Sequence, residues 1–255
     1  MSVDYSIHYK RFHDESEAHA LSMAEWLGNY LREDLPEDRS APVLDVGCGF
    51  GFALRALRAA GFRNVHGVEI SPHQAGVARR GGFDVSLVAD TVGYLRGNPS
   101  RFGAILLLDV LEHIPVSGQI EMVRSIREAL LPGGRVILTV PNANSPLAAR
   151  WRYIDFTHHC SFTEHSLHFV LSSAGFENVH MDNEKGIGAF PKCWWQRKHR
   201  DALRKWIVRF VWLQVFKAEL HASERLDDIC LELNLKAKAF NAPQRLVTSN
   251  TSSSL

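Results

Sequence analysis

The stretch VLDVGCGFG, Val43 to Gly51, constrains this chain more than any other. A short apolar run ends in three glycines spaced two apart. The segment after them, FALRALRAAG, has the apolar spacing of a helix that stops at Gly61. A buried strand must therefore end, turn within a few residues and enter a helix. Glycine allows such a turn because it reaches positive φ without a Cβ penalty, and it lets another molecule lie on bare backbone. Exposed N–H groups and the helix N-terminus favour a negatively charged group there. An ordinary tight turn satisfies the same pattern. The next strand signal, VHGVEI, favours a ligand: it ends in Glu69, 22 residues after Gly47, close to the ~20 expected of an acid that grips ribose hydroxyls. A nicotinamide dinucleotide would place an acid in the same way.

Strand and helix signals alternate through most of the chain. Glu15 to Leu31 is helical in spacing, and SPHQAGVARRGG is a helix with Ser71 as N-cap and Pro72 at its first position. VSLVAD and RVILTVPN read as strands and AILLLDVLEHI as a strand with its following turn, with the helix IEMVRSIREALLPGG between the last two. TEHSLHFVLSSAG is a helix capped by Thr163, FENVHMD a strand, and ICLELNLKAKAF a last strand or strand pair. Such alternation predicts an α/β fold: a Rossmann-like, doubly wound, mostly parallel seven-stranded sheet with a helical insertion before the last strand. Ligands in such folds sit beyond the carboxyl ends of the strands. The expected organisation is an N-terminal helical lid over 1–40, a cofactor-binding core over 41–184, the insertion over 185–222, the completing strand over 223–242 and a disordered tail over 243–255.

Composition narrows the class. The formal net charge is +1, so no global field argues for nucleic acid. The four cysteines are scattered, with no CxxC pair, which argues against a zinc knuckle or a disulfide framework and for a reducing cytoplasm. No run of about 18 apolar residues is present.

The loop reads GxGxG rather than GxGxxG, Asp45 precedes it, strand three ends in Asp90 within VADTV, strand four runs into LLLDVLEHI, and LLPGGRVIL leads strand five. Together these motifs resemble the class I S-adenosylmethionine-dependent methyltransferases. The resemblance implies that Asp45, Gly47, Cys48, Gly49 and Gly51 line the methionine end of S-adenosylmethionine. It implies that Glu69 takes both ribose hydroxyls, Ile70 lies against adenine, Asp90 with Thr91 meets the adenine edge, and Asp109 closes the pocket near the sulfonium. Tyr9, in the N-terminal lid, is a further candidate for touching the cofactor. A solvated strand end or a helix cap is the plainer role for each acid.

Methyl transfer to a hydroxyl also requires that the acceptor's proton be removed. YIDFTHHCSFTEHS, between strand five and the next helix, lies on the ligand side of the sheet and holds Asp155, His158 and His159. His158 is the candidate base with Asp155 as orienting partner, and His113 and His159 are rivals; bonding to backbone or helix capping would occupy the same histidines. DFTHHCSFTEHSL resembles the equivalent loop of bacterial surface-polysaccharide (O-antigen or capsule) methyltransferases and of quinone-biosynthesis O-methyltransferases. A divalent metal on Asp109, Glu112, His113 and His158 is a less favoured reading, prompted by a resemblance to RNA 3′-terminal 2′-O-methyltransferases.

Residues 194–216 combine arginine and lysine (Arg197, Lys198, Arg200, Arg204, Lys205, Arg209) on one helical half with Trp195, Ala202, Leu203, Trp206, Phe210 and Leu213 on the other. Such a helix suits an anionic membrane surface, a dimer contact or the mouth of the active site, with nucleic acid a weaker option. The expectation is a cytoplasmic O-methyltransferase, peripheral to the inner face of the membrane if that helix seeks lipid, acting on a sugar hydroxyl of a surface polysaccharide or its precursor. A quinone or phenolic small molecule and, with a metal, RNA are the alternative acceptors. A nicotinamide dehydrogenase or a non-catalytic scaffold are the rivals from other classes.

Overall fold

The computed structural model describes residues 9–181, 190–191, 200–220 and 229–242. A seven-stranded sheet runs through them, built from β1 (Val43–Val46), β2 (Val65–Glu69), β3 (Val85–Leu87), β4 (Phe102–Leu108), β5 (Leu130–Pro141), β6 (Asn178–Met181) and β7 (Asn234–Phe240). The spatial order is β3-β2-β1-β4-β5-β7-β6. The first five strands are parallel to one another, and β7 lies antiparallel between β5 and β6. The chain order reverses between β1 and β4, so the crevice above these two strand ends is the switch point where ligands bind.

Helices cover both faces, because each parallel crossover must return over the sheet. On one face lie α1 (Glu17–Leu31), α2 (Phe52–Ala59) and α3 (Pro72–Arg80); on the other lie α4 (Thr91–Arg96), α5 (Val116–Ala129) and α7 (Glu164–Ser173). The strand period of two feeds both layers: Ala104 and Leu106 of β4 pack with α1 and α2, while Ile105 and Leu107 pack with α5. β7 applies the same rule with charge. Ala237 and Ala239 are fully buried, and Lys236 and Lys238 reach across the opposite face to the buried Asp34, at 2.7 and 2.9 Å.

The expected caps form. Ser71 Oγ accepts from the Gln74 N–H, and Thr163 with Ser166 makes a capping box at the start of α7. α1 starts later than the spacing predicts, at Glu17, because Ser16 caps it through the His19 N–H. One end differs in kind. The Pro-Gly-Gly after α5 was expected to close a helix, but β5 already begins at Leu130, and its Gly133 N–H donates to the Asn241 carbonyl at 2.7 Å.

α6 (Ala148–Ile154) and α8 (Arg200–Glu219) stand outside the two layers and bury no residue fully. Trp212 Nε1 donates to the Asn144 carbonyl at 3.0 Å, which fastens α8 to the loop after β5. The two-sided pattern expected of this helix is only partly seen. Arg209, assigned to the basic half, turns inward within 4.0 Å of Glu232, and Phe210, on the tryptophan-bearing half, is exposed. Trp195, Arg197 and Lys198 lie outside the described residues, as do the rest of 192–199 and the expected tail.

Candidate active site

The glycine loop leaves β1 in the left-handed region, with φ of 74° at Gly47, 52° at Gly49 and 83° at Gly51. The N–H groups of Gly47 and Cys48 both donate to the Val68 carbonyl, at 2.8 and 3.1 Å, and so tie the loop to β2. A Cβ on Gly47 would stand 2.6 Å from Val110 Cγ2, so this position has room for glycine alone. Gly49 donates its N–H to Glu69 Oε2 at 2.9 Å, and Glu69 Oε1 accepts from the N–H groups of Ile70 and Ser71, both at 2.8 Å. Glu69 is 4% exposed; burial raises its pKa, and those three N–H groups partly offset the rise.

Asp45 lies one strand away at 2% exposure, its pKa pushed from 3.8 up to about 7 by loss of water and then by the Glu69 charge. No cationic side chain is among the groups acting on either carboxyl. Two buried acids with no countercharge, beside bare backbone, suit a ligand that brings positive charge and hydroxyl donors. Ile70 stands at the same strand end and is 67% exposed, an apolar surface of the kind a flat ring covers. A cationic nucleoside amino acid such as S-adenosylmethionine meets these demands.

Two expected cofactor residues have other partners too. Asp90 Oδ1 caps α4 by accepting the Gly93 N–H at 2.9 Å, the plainer of its two expected roles, and Thr91 follows as the first helical residue. Tyr9 packs directly on the loop. Its hydroxyl lies 2.6 Å from where a Cβ on Gly49 would be, and its ring meets Phe50 edge-on at 4.7 Å. The space over Gly49 is thus held by an N-terminal side chain, which a bound cofactor would have to touch or displace. Cys48, buried behind the loop, has its thiol raised by burial and faces Gly67, so it is a packing residue rather than a lining one.

Asp109 ends β4 in a left-handed conformation, φ 51°, rare for a residue with a side chain and costly unless its surroundings fix it. Thr139 does so. Its carbonyl and Oγ1 both accept the Asp109 N–H at 3.1 Å, and its hydroxyl donates to Asp109 Oδ1 at 2.9 Å. Asn234 Nδ2 adds a second donor to Oδ1 at 3.0 Å. Asp109 keeps an exposed edge on the crevice, while the protein packed around its carboxyl pushes the pKa up.

The turn after Asp109 carries Glu112 and His113 on a short 3-10 helix, Leu111–His113, and the loop after α6 brings His158 to them. The two imidazoles lie 4.6 Å apart, edge to face. Glu112 is 1% exposed and its pKa is raised well above the ordinary value, by burial first and then by Asp109. Asp155 meets His158 at ion-pair range, its Oδ2 3.9 Å from Nε2, longer than a hydrogen bond. The Trp151 carbonyl lies 3.1 Å from the other nitrogen of that ring, Nδ1. Asp155 acts on His113 as well: its Oδ1 accepts the Thr157 hydroxyl at 2.7 Å, and Thr157 Oγ1 lies 2.8 Å from His113 Nδ1. His159 is exposed, and its backbone N–H donates to the Glu112 carbonyl at 2.8 Å.

Of the four residues considered for a metal, Glu112, His113 and His158 come together, while Asp109 is turned to Thr139 and Asn234. Sequence reasoning missed Thr139, Thr157 and the Trp151 carbonyl. Thr157 had a signal, since D-x-T is a pattern in which Asp155 accepts the N–H two residues on, here at 2.8 Å. Thr139 and Trp151 had none, being brought in by the sheet and by a helix end.

Residues 18–181 match a family model described as a methyltransferase domain. The chain belongs to that family. Among relatives, it is 31% identical over 122 residues to the ubiquinone biosynthesis O-methyltransferase of Serratia proteamaculans, covering 46% of this chain and 49% of that protein. It is 26% identical over 200 residues to the protein of the same name from Cereibacter sphaeroides, covering 69% of this chain and 78% of that one. The chain thus spans about half the length of the first such relatives. Among solved structures, a SAM-dependent methyltransferase from Archaeoglobus fulgidus superposes with a TM-score of 0.66 at 18% identity, covering 93% of this chain and all of that one. The fold is that of the S-adenosylmethionine-dependent methyltransferases, and the methyltransferase domain carries the glycine loop, Glu69, Asp109 and the histidine cluster within its matched span.

Proposed function

We propose that this methyltransferase transfers a methyl group from S-adenosylmethionine to a phenolic hydroxyl on a quinone precursor or a related small aromatic molecule. The observation that carries the reading is the Glu112–His113–His158 cluster at the end of β4, where an acceptor beside the crevice needs its hydroxyl proton handled. The relatives' names support a phenolic acceptor and do not support the sugar hydroxyl of a surface polysaccharide that the loop pattern first suggested.

When bound, the cofactor supplies an electrophilic methyl on a positive sulfur: the acceptor oxygen gains the new C–O bond, and the C–S electron pair returns to sulfur. The chain's own contribution is placement and charge. Glu69 and the loop N–H groups fix one end of the crevice. Thr139 and Asn234 hold Asp109 at the other end, where its carboxyl answers positive charge. Holding acceptor and methyl aligned is worth up to ~7–11 kcal/mol of the barrier, and a group that handles the acceptor's proton adds ~10²–10⁴-fold.

The exposed face of α8 fits a peripheral seat on a membrane. Ile207, Val208, Val211 and Val215 are exposed on it, with Arg204 and Lys205 nearby, and among the described residues no helix is long and apolar enough to cross a bilayer. An apolar acceptor held in lipid would give that face a purpose.

The function is tested by incubating the protein with methyl-labelled S-adenosylmethionine and, separately, a catechol bearing a polyprenyl tail and a cell-surface glycan fraction. The label should appear as an O-methyl on the catechol. Label on glycan alone, or on neither, overturns the reading.

A further inference from the structure

We propose that Tyr30, on α1, is a specificity residue of the acceptor site, its hydroxyl binding a second oxygen carried next to the one that is methylated. This role rests on the O-methylation reading and deepens it. The preferred acceptor is a ring bearing two adjacent oxygens rather than a lone phenol.

The sheet brings this side chain to Asp109. Asn234 and Lys236 are two residues apart on β7 and so share one face. Asn234 Nδ2 donates to Asp109 Oδ1, and Lys236 pairs in register with Thr139, whose hydroxyl donates to the same oxygen. Lys236 Nζ in turn lies 4.6 Å from the centre of the Tyr30 ring and donates to the Tyr30 carbonyl at 3.1 Å. Trp26, one helical turn earlier, stacks on the same ring at 5.2 Å and 10°. An ammonium and an indole therefore fix the ring over the row that holds Asp109. Its hydroxyl makes no hydrogen bond among the described residues, so its donor is unspent. Burial raises the phenol's pKa, and the carboxyls of Asp109 and Glu232 raise it further, so the group keeps the proton it would donate.

Tyr30 packs with the layer of α1 and α2, whereas the turn bearing Glu112 and His113 packs through Leu111 with the layer of α5 and α7. An acceptor over Asp109 thus has imidazoles toward one face of the sheet and a phenol donor toward the other. The oxygen that loses its proton belongs on the histidine side. A neighbouring oxygen then meets Tyr30, which donates to it and sets which of the two is presented to the methyl. A ring with one oxygen leaves the phenol unmatched, and sites built to bond a hydroxyl discriminate against ligands that lack it.

Tyr30→Phe tests this, because it keeps the ring, its stack on Trp26 and its contact with Lys236, and removes only the hydroxyl. In calorimetry on the full chain loaded with S-adenosylhomocysteine, a catechol with a short prenyl tail should bind the variant roughly three- to tenfold more weakly than the parent. In turnover, KM for the catechol should rise by a similar factor with kcat little changed. A phenol of the same tail with one hydroxyl should bind parent and variant alike, which a merely structural role of Tyr30 would not give. Affinity for S-adenosylmethionine and the melting temperature should match the parent's. Equal catechol affinity in the two proteins, an equal loss for the one-hydroxyl phenol, or weakened cofactor binding overturns the assignment. Weaker catechol binding by the variant, with methyl transfer by neither protein, would leave Tyr30 standing and remove the proposed function. Full transfer with equal affinities would do the reverse, and no binding of catechol to the parent overturns both.

Discussion

Replacing Asp45 by Asn should stabilise the cofactor-free protein at alkaline pH and leave it nearly unchanged in acid. Asp45 is buried on β1 beside Glu69, and its pKa stands at about 7 against an ordinary 3.8. Each tenfold change in a protonation equilibrium is about 1.4 kcal/mol, so keeping this carboxyl ionised in the folded chain costs up to about 4 kcal/mol relative to the unfolded chain. The sign follows from which state holds the proton. The folded pKa is raised, so the folded chain binds the proton more tightly, and that contribution is complete below pH ~4. As pH rises the unfolded chain ionises first, and the contribution disappears by the time pH passes about 7. Asn cannot ionise and escapes this loss. In urea unfolding without cofactor, the gain of Asp45→Asn over the parent should be about 2–4 kcal/mol at pH 8 and close to zero at pH 4. A difference that is the same at both pH values would refute the claim that Asp45 is a buried charge awaiting a positive ligand. The same account predicts that a cationic cofactor draws protons off the Asp45–Glu69 pair, so its affinity should weaken as pH falls below about 7.

Three further outcomes test the fold around the site. Gly47→Ala should lower stability by about 2–4 kcal/mol, from a positive φ that costs ~1–2 kcal/mol and a Cβ driven against Val110; thermal melting checks it, and a loss under about 1 kcal/mol would contradict the close approach. Asp34→Ala should cost about 2–4 kcal/mol by leaving Lys236 and Lys238 without their buried carboxylate, measured by denaturant unfolding, and a neutral result would mean that both lysines turn to water. Val208→Glu with Val211→Glu should abolish sedimentation with anionic phosphatidylglycerol vesicles while leaving cofactor binding intact; equal sedimentation of parent and variant would remove α8 from the membrane reading.

Much of the architecture was legible because it follows from local chemistry. The glycine loop, the Ser71–Pro72 start of α3 and the Thr163 cap of α7 are written in adjacent residues, and the alternation of strand and helix gives the parallel sheet. What stayed hidden depends on distant partners. Nothing in NLKAKAF says that β7 inserts antiparallel between β5 and β6, or that Lys236 and Lys238 meet Asp34, since all these partners are distant in the chain and Asp34 is more than 200 residues away.

In the candidate site, the acids at strand ends could be found from spacing, but their states could not. Asp109 owes its left-handed backbone to Thr139 on the neighbouring strand, and Glu112 owes its isolation to burial that a solvent-like LEH triplet does not announce. Asp155 stands beside His158 only at ion-pair range, 3.9 Å from Nε2, because its Oδ1 is taken up by Thr157. The carboxylate found Thr157, and through it His113.

The claim beneath all of this is that the crevice between the Gly47–Gly51 loop and Glu69 holds S-adenosylmethionine. Isothermal calorimetry on the full chain and on Glu69→Ala tests it most directly. One equivalent should bind the parent protein, and the variant should lose a few kcal/mol of affinity as charge-assisted bonds to the ribose disappear. Equal affinity in both proteins, or no heat of binding in either, would contradict it.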